Sequence, residues 1–439
     1  MLEMCIQPYT VRRVRGVLLA ACVFALAASP ALGQSSPLSA DGTSLDKVLV
    51  IGTDGTRWDL LDAAMKAGRA PNLARLRAQG FGQPTLLEYG PNTITLSEVG
   101  WSTIASGVWD DKHGVDGTKF NMDPGQATKN GYLDFLTRIE NQRARLSTYL
   151  ASDWDNIGLA ENGGPIFGTA MDSNFAARVP AETIDNWNRG DAEVTAAATR
   201  YLRRGNPDAS FVYLGLVDET AHLAGSATPT YAAAIRTTDA RIGRLLRAVR
   251  SRPTYQFESW TILVVTDHGQ KPLSEPSPIS HFGKTKLELT SFLIGSGPGL
   301  GKNVKKPLVV DILPTVLHQL GLATPRSWNI DGHTLSHAKP PSSATARLRG
   351  GRLVAKLSLG SSPRARGIDF HLPARVKGAA AVRVNGVAVD AVTEGKSVRV
   401  TLPGRRLHKV SLTADTGRAS GSVVVILHRP GGKMAIPLG

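Results

Sequence analysis

The sequence predicts an α/β fold, with a mostly parallel central sheet sandwiched by helices, followed by a small C-terminal all-β, sandwich-like domain. Three observations predict it. The runs KVLVIGT from Lys47, FVYLGLV from Phe211 and TILVVT from Thr261 are continuously apolar, as strands buried on both faces are. Helical periodicity over 191–204, 231–250 and 310–320 alternates with such runs, as a helix-covered sheet requires. Beyond about residue 345 the pattern changes to short alternating segments, RLVAKLSL, AAVRVNGVAV, SVRVTL and SVVVIL.

In chain order, Arg12, Arg13 and Arg15 precede an apolar run over 16–28, and Ala31-Leu32-Gly33 offers a cleavage site, so residues 1–33 read as a secretory signal peptide. The mature protein is expected outside the cytoplasm, secreted or in the periplasm or cell envelope. Both cysteines, Cys5 and Cys22, lie in the removed segment, so the exported chain has no thiol to serve as nucleophile or ligand. Only six residues separate Cys22 from Arg15, and apolar residues continue beyond it, so lipid anchoring at Cys22 is not expected. Residues 34–45 read as a linker and 46–337 as the main domain. Within it, 120–206 is weak in pattern and reads as a cap-like insertion. A Pro/Ser stretch marks 338–345 as a linker to the β-domain of 346–439, where Asn385-Gly386 predicts a two-residue hairpin turn.

The chain has 439 residues, with 51 Lys+Arg against 36 Asp+Glu, a net charge of +15. That balance first suggests a nucleic-acid or anionic-surface binder. The charge is localised, however: residues 1–33 carry +2 and residues 341–439 carry +13, which leaves 34–340 neutral. A contact with an anionic polymer or the envelope therefore belongs to the β-domain, and its alternative is a merely solvated basic surface.

Each of the three central runs ends in an acid: Asp54, Asp218 and Asp267. In open α/β sheets the carboxyl ends of the strands line the ligand crevice. His222 follows Asp218 by four residues, His268 follows Asp267 directly, and His281 lies in a loop before the next run. A lone Asp after a strand is often only a turn or cap residue. Three of them with offset histidines point instead to divalent metal, zinc or a similar ion, in sites that often hold two ions. His113 falls in an exposed-looking Lys-His-Gly turn and His318 in a helical pattern, while His333 and His337 are reserves for the ligand role of His281. A metal pair needs a nucleophile, and NTITLSEVGWSTIASGVWDDKHGV from Asn92 offers several hydroxyls, Thr95, Ser97 and Ser102 among them.

With that segment the chain begins to resemble the alkaline phosphatase superfamily, and within it the type I phosphodiesterases and nucleotide pyrophosphatases. The likeness rests on Asp54, the phrase PNLARLRAQG at 71–80, Ser106-Gly107 and His113-Gly114, which place the nucleophile at Ser97. It continues through Asp218 with His222, Asp267-His268-Gly269, His281 ahead of Gly297-Pro298, and DILPTVLHQLG at 311–321. The resemblance spans about 47–322. It implies one ion held by Asp54, Asp267 and His268 with Ser97 as fourth ligand, and a second held by Asp218, His222 and His281, both probed first as Zn2+. It also implies an alkaline-phosphatase-like fold and in-line attack by Ser97, giving a phosphoseryl intermediate.

The family places an Asn shortly after the His-Gly turn, where this chain has Thr118; Asn121 and Lys112 are further candidates for substrate contact, and Arg57 and Lys119 for phosphate. The Cys/Ser-x-Pro-x-Arg signature of sulfatases does not match Ser97-Glu98-Val99-Gly100-Trp101. The resemblance thus implies a hydrolase of phosphodiesters or pyrophosphates with a small phosphate-ester or nucleotide-like substrate and no obligate protein partner. Alternatives are an alkaline-phosphatase-type phosphomonoesterase, and an envelope-associated polymer-binding protein with an inactive metal fold.

Overall fold

A computed structural model describes residues 46–117, 123, 125–158, 165–168, 170–336, 341–349, 351–359, 364–417, 423–429 and 432–438. The expected signal peptide and 34–45 linker, and Thr118, Lys119, Asn121 and His337, lie outside the described residues.

The first domain comprises β1 (Asp46–Thr53), α1 (Trp58–Lys66), α2 (Pro71–Gln79), β2 (Phe81–Leu86), α3 (Ser97–Ser106), α4 (Asp110–His113), α5 (Gln126–Lys129) and α6 (Phe135–Arg143). It continues with β3 (Thr148–Ser152), β4 (Ser173–Ala176), α7 (Ile184–Arg204), β5 (Ala209–Leu214), α8 (Leu216–Ala224), α9 (Pro229–Arg250), β6 (Ser259–Val265), β7 (Thr290–Ser296) and α10 (Ile312–Gln319). Its seven-stranded sheet has the order β2-β7-β6-β1-β5-β3-β4. Strands β6, β1, β5, β3 and β4 run parallel, and β7 pairs antiparallel with β6 and with β2.

Strand alternation explains the two layers of helices. In β1, Leu49 and Ile51 pack against α1, α2, α7 and α9 on one face, while Val48 and Val50 pack against α3, α6 and α10 on the other. Both faces are covered, which is why the central runs are apolar throughout.

Three boundaries differ from the sequence expectation. The segment read as a cap over 120–206 instead supplies β3, β4 and α7 to the sandwich. Helix α7 starts at Ile184, not near 191, because Thr183 caps it by accepting from the Asn186 amide, and Gly190 continues the helix where a Cβ would lie 3.0 Å from Asp153 Oδ2. The 338–345 linker is shorter than expected, since β8 (Pro341–Arg349) is already paired with β9 (Arg352–Leu359).

The β-domain continues through β10 (Arg364–His371), β11 (Ala381–Val384), β12 (Val387–Val389), β13 (Val392–Glu394), β14 (Ser397–Arg406), β15 (Lys409–Asp415), β16 (Val423–Arg429) and β17 (Gly432–Leu438). Two five-stranded antiparallel sheets, β13-β14-β10-β16-β17 and β12-β11-β15-β9-β8, enclose an apolar core that includes Phe370, Val400, Leu412 and Val425. Asn385 (φ 53°) and Gly386 (φ 86°) turn β11 into β12 with Val384 opposite Val387, the expected two-residue hairpin. Among the described residues no helix is long and apolar enough to cross a membrane.

Candidate active site

The carboxyl ends of β1 and β6 bring Asp54, Asp267 and His268 together, all essentially buried. Asp54 is oriented through one oxygen. Its Oδ2 accepts from Trp101 Nε1 at 2.9 Å and from the Tyr213 hydroxyl at 2.5 Å, which leaves Oδ1 facing His268 Nε2 at 3.6 Å and Ser97 Oγ at 3.4 Å. Ser97 Oγ also lies 3.2 Å from His268 Nε2. Ser97 is the first residue of α3; the N-cap is Leu96 and no side chain caps the helix, so the Ser97 hydroxyl is not spent on capping.

The second group comes from a helix and a loop. Strand β5 stops at Leu214, earlier than the run FVYLGLV suggested, and Asp218 sits in the first turn of α8 with His222 one turn on. This i,i+4 spacing puts both on one face, with His222 Nε2 3.2 Å from Asp218 Oδ2. His281 Nε2 is 3.1 Å from His222 Nε2 and 3.8 Å from Asp218 Oδ1. His268 stacks on His281 at 3.9 Å between centroids and borders both groups.

The donor set fits a cation. His268 Nδ1 faces the Gly269 carbonyl at 3.0 Å, His281 Nδ1 the Thr95 carbonyl at 2.9 Å, and His222 Nδ1 the Ser277 carbonyl at 3.1 Å. A carbonyl only accepts, so each Nδ1 carries a proton. Burial lowers the pKa of His268 to about 4 and lowers that of His281, so both present an Nε2 lone pair, whereas at His222 the Asp218 charge outweighs burial and raises the pKa to about 9. His268 Nε2 thus opposes Asp267 Oδ2 at 3.3 Å. That Asp267 oxygen is buried and has no hydrogen-bond donor. Burial and the neighbouring Asp54 charge push the Asp267 pKa well up, and burial with the Asp218 charge raises that of Asp54. A divalent cation relieves all of these repulsions, and carbonyl-oriented imidazoles are how proteins aim metal ligands.

Two glycines let the elements close on this centre. A Cβ on Gly100 of α3 would lie 2.6 Å from Asp267 Cβ, and Gly55, at φ +55°, would place a Cβ 2.1 Å from Asp218 Oδ1. The sequence reading passed over both, and over Trp101, Tyr213 and Gln270, whose Nε2 donates to Asp218 Oδ1. The Gly after each strand-end acid or histidine, Asp54-Gly55 and His268-Gly269, was the available signal. Asp153, at the end of β3, repeats the strand-end pattern but belongs elsewhere. It is buried against Asp191, whose Oδ2 accepts from Arg241 at 2.8 Å, and burial with the Asp191 charge drives the Asp153 pKa well up.

Other candidates are placed differently. His113 is fully buried rather than exposed; its Nδ1 accepts from the Val115 amide, its Nε2 lies 2.9 Å from Thr103 Oγ1, and burial lowers its pKa to about 3. Lys112, expected near substrate, is tied to Asp331 at 2.5 Å and to the Asn329 carbonyl. Arg57 pairs with Asp59. Thr95 Oγ1 donates to the carbonyls of His281 and Gly283, and so is committed. Ser102 Oγ is buried without a partner. His333 lies exposed outside the cluster, which His281 completes.

The family model for type I phosphodiesterase / nucleotide pyrophosphatase matches residues 48–305. The chain belongs to this family. It is therefore a phosphoester hydrolase of the alkaline phosphatase superfamily, in a family that depends on metal. No curated protein matches it in sequence. Among solved structures, murine ectonucleotide pyrophosphatase / phosphodiesterase 5 is 16% identical, with 65% of this chain and 98% of that chain covered and a TM-score of 0.42. A putative sulfatase from Bacteroides thetaiotaomicron is 11% identical over 90% of this chain and 85% of its own, at a TM-score of 0.48. Phosphonoacetate hydrolase from Sinorhizobium meliloti is 16% identical over 52% and 57%, at 0.36.

Proposed function

We propose that this family member is an exported hydrolase of phosphate esters that acts through Ser97 and two divalent ions, with diesters or pyrophosphates of nucleotide-like size preferred. The position of Ser97 Oγ, between Asp54 Oδ1 and His268 Nε2 at the start of α3, carries the reading. Asp54, Asp267, His268 and Ser97 would hold one ion and Asp218, His222 and His281 the other, and the mixed carboxylate and imidazole set suits zinc. Bound there, the ions would supply Lewis-acid stabilisation of ester oxygens and a lowered hydroxyl pKa.

The chain's own groups do the rest. Trp101 and Tyr213 fix the Asp54 carboxylate so that Oδ1 stays turned toward the Ser97 hydroxyl. Ser97 Oγ attacks phosphorus in line, the bond to the leaving oxygen breaks, the Ser97 proton departs with the leaving alcohol, and a phosphoseryl ester that keeps the substrate's other ester group forms; attack by water on that intermediate releases a phosphate monoester and restores Ser97. The first-turn amides of α3 add positive potential at the phosphoryl oxygens. One carboxylate outside the ligand set favours diesters: Glu98, half-buried and held by Asn156 Nδ2 at 3.2 Å, directly follows Ser97. Extra negative charge repels a monoester dianion more than a diester monoanion. Export is supported by the Arg-led apolar run at the start of the chain.

The test compares bis-p-nitrophenyl phosphate with p-nitrophenyl phosphate, before and after chelation and in Ser97→Ala. The expected result is faster turnover of the bis ester, lost on chelation and in the variant. Full activity in Ser97→Ala overturns the nucleophile, activity indifferent to chelator overturns the ions, and faster turnover of the monoester overturns the substrate preference.

A further inference from the structure

A second concave site lies away from the metal cluster. A cavity of about 790 Å³ opens between the C-terminal ends of α2 and α9, the start of β6 and the loop after β7, and Arg366 of the β-domain forms part of its wall. Strand β6 runs from this cavity at Trp260 to the cluster beyond Val265, so the two sites are separated by about 20 Å of strand.

The cavity is cationic. Arg250, Lys302 and Arg366 reach it from three separate segments, and all three are exposed and make no ion pair with a described residue. Its acid, Glu258, is already neutralised, since Arg252 donates to it at 2.7 Å and 2.8 Å and Trp260 Nε1 at 2.7 Å. Arg366 sits where the register of β10 against β14 shifts between Ala365 and Gly367. Such a bulge turns a side chain out of the ladder. Here it places Arg366 on the wall of the cavity and of an adjoining hollow of about 330 Å³, where Arg399 and His428 stand on the outer sheet face, both paired with Asp369. The result is one groove along the domain junction, lined by charge from both domains.

The composition of the groove selects its ligand. The two rings on the wall are committed elsewhere: Trp260 is 9% exposed with Arg252 over its face at 5.6 Å, and Tyr255 packs against the core. Residues 341–439 contain no Trp or Tyr, and their single Phe, Phe370, is buried, so the β-domain adds no such ring on which a base or sugar could stack. Leu246, Val249 and Ile262 provide aliphatic wall between the cations. We propose that the groove binds a flexible polyanion whose phosphates are separated by aliphatic spacers, a polyol-phosphate chain, with Arg366 as the β-domain's contact. This also gives the +13 of residues 341–439 a place to act.

Binding of poly(glycerol phosphate) to the full chain tests the proposal, with chelator present so that neither turnover nor the metal centre contributes. The expected result is binding that weakens steeply with salt and falls about 10-fold in Arg366→Glu and further in Arg250→Glu/Lys302→Glu, with thermal melting and bis-p-nitrophenyl phosphate turnover unchanged. No binding at low salt, or binding equal in wild type and the variants, overturns the site. Tighter binding of a single-stranded oligonucleotide than of poly(glycerol phosphate) overturns the choice of ligand. Because the readout is binding alone, its failure leaves the catalytic assignment standing, and a failure at Ser97 leaves the groove standing.

Discussion

In the α/β domain the decisive charges are inside: Asp54, Asp218 and Asp267 are at most 5% exposed and lie among the imidazoles of His222, His268 and His281. In the β-domain the cations among the described residues stand outside, as where Arg399, 61% exposed, pairs with the buried Asp369 across neighbouring strands. Buried charge is costly unless compensated, and a cation held by these donors would supply the compensation. Each exposed charge costs little in stability and acts through long-range attraction, so the second domain can carry +13 against only the self-repulsion of its surface.

The largest effect that would sharpen this contrast is Ser97→Ala, which should lower kcat on bis-p-nitrophenyl phosphate by at least about 10³-fold while metal content and melting temperature stay unchanged. Loss of bound metal in that variant would instead make Ser97 chiefly a ligand. Next, Asp267→Asn removes a buried carboxylate whose Oδ2 has no donor among the described residues. Elemental analysis should find less metal bound, whereas the metal-free protein should melt a few degrees higher than metal-free wild type, because an uncompensated charge is gone. A metal-free variant that melts lower would show that the acid stabilises the fold by itself.

Gly100→Ala should cost about 1–3 kcal/mol through overlap with Asp267, outweighing the gain of about 1 kcal/mol that Ala brings to a helix. Denaturant melts would measure it. In the β-domain, Val387→Thr, at a position 58% exposed on a short edge strand, should stay within about 0.5 kcal/mol.

The smallest effect concerns acid. Burial alone would raise the Asp369 pKa, but hydrogen bonds from His428 and Arg399 more than offset it and hold the carboxyl below its ordinary value. A depressed pKa contributes stability above the unfolded value of about 3.9 and loses it as pH falls through the folded value. Asp369→Asn should therefore narrow the difference in melting temperature between neutral pH and pH below about 4, and an unchanged difference would show that the cluster does not act on stability.

Much of the proposed catalytic centre was legible. Asp54, Asp267 and His268 follow buried strands whose apolar runs are unmistakable, and Asp218 with His222 keeps helical spacing, although the run FVYLGLV hid a strand-to-helix change at Gly215. Helix α7 was half-legible, because Gly190 reads as a breaker until the carboxylate of Asp153 is seen against it. His113 was misjudged, since a Lys-His-Gly turn gives no sign that Thr103 and Val115 enclose the ring.

By itself the sequence determined the alternation of buried strands and helices, the acids at the strand ends, the Asn385-Gly386 hairpin and the segregation of positive charge into the last hundred or so residues, because periodicity, turn chemistry and charge are local properties. Only the tertiary structure decided which nitrogen of each histidine faces the centre, that Trp101 and Tyr213 aim Asp54, and that Arg366 meets Arg250 and Lys302 across a domain junction. Those facts depend on carbonyls, rings and bulges brought together from distant parts of the chain, and no local pattern encodes a distance between segments that first meet on folding.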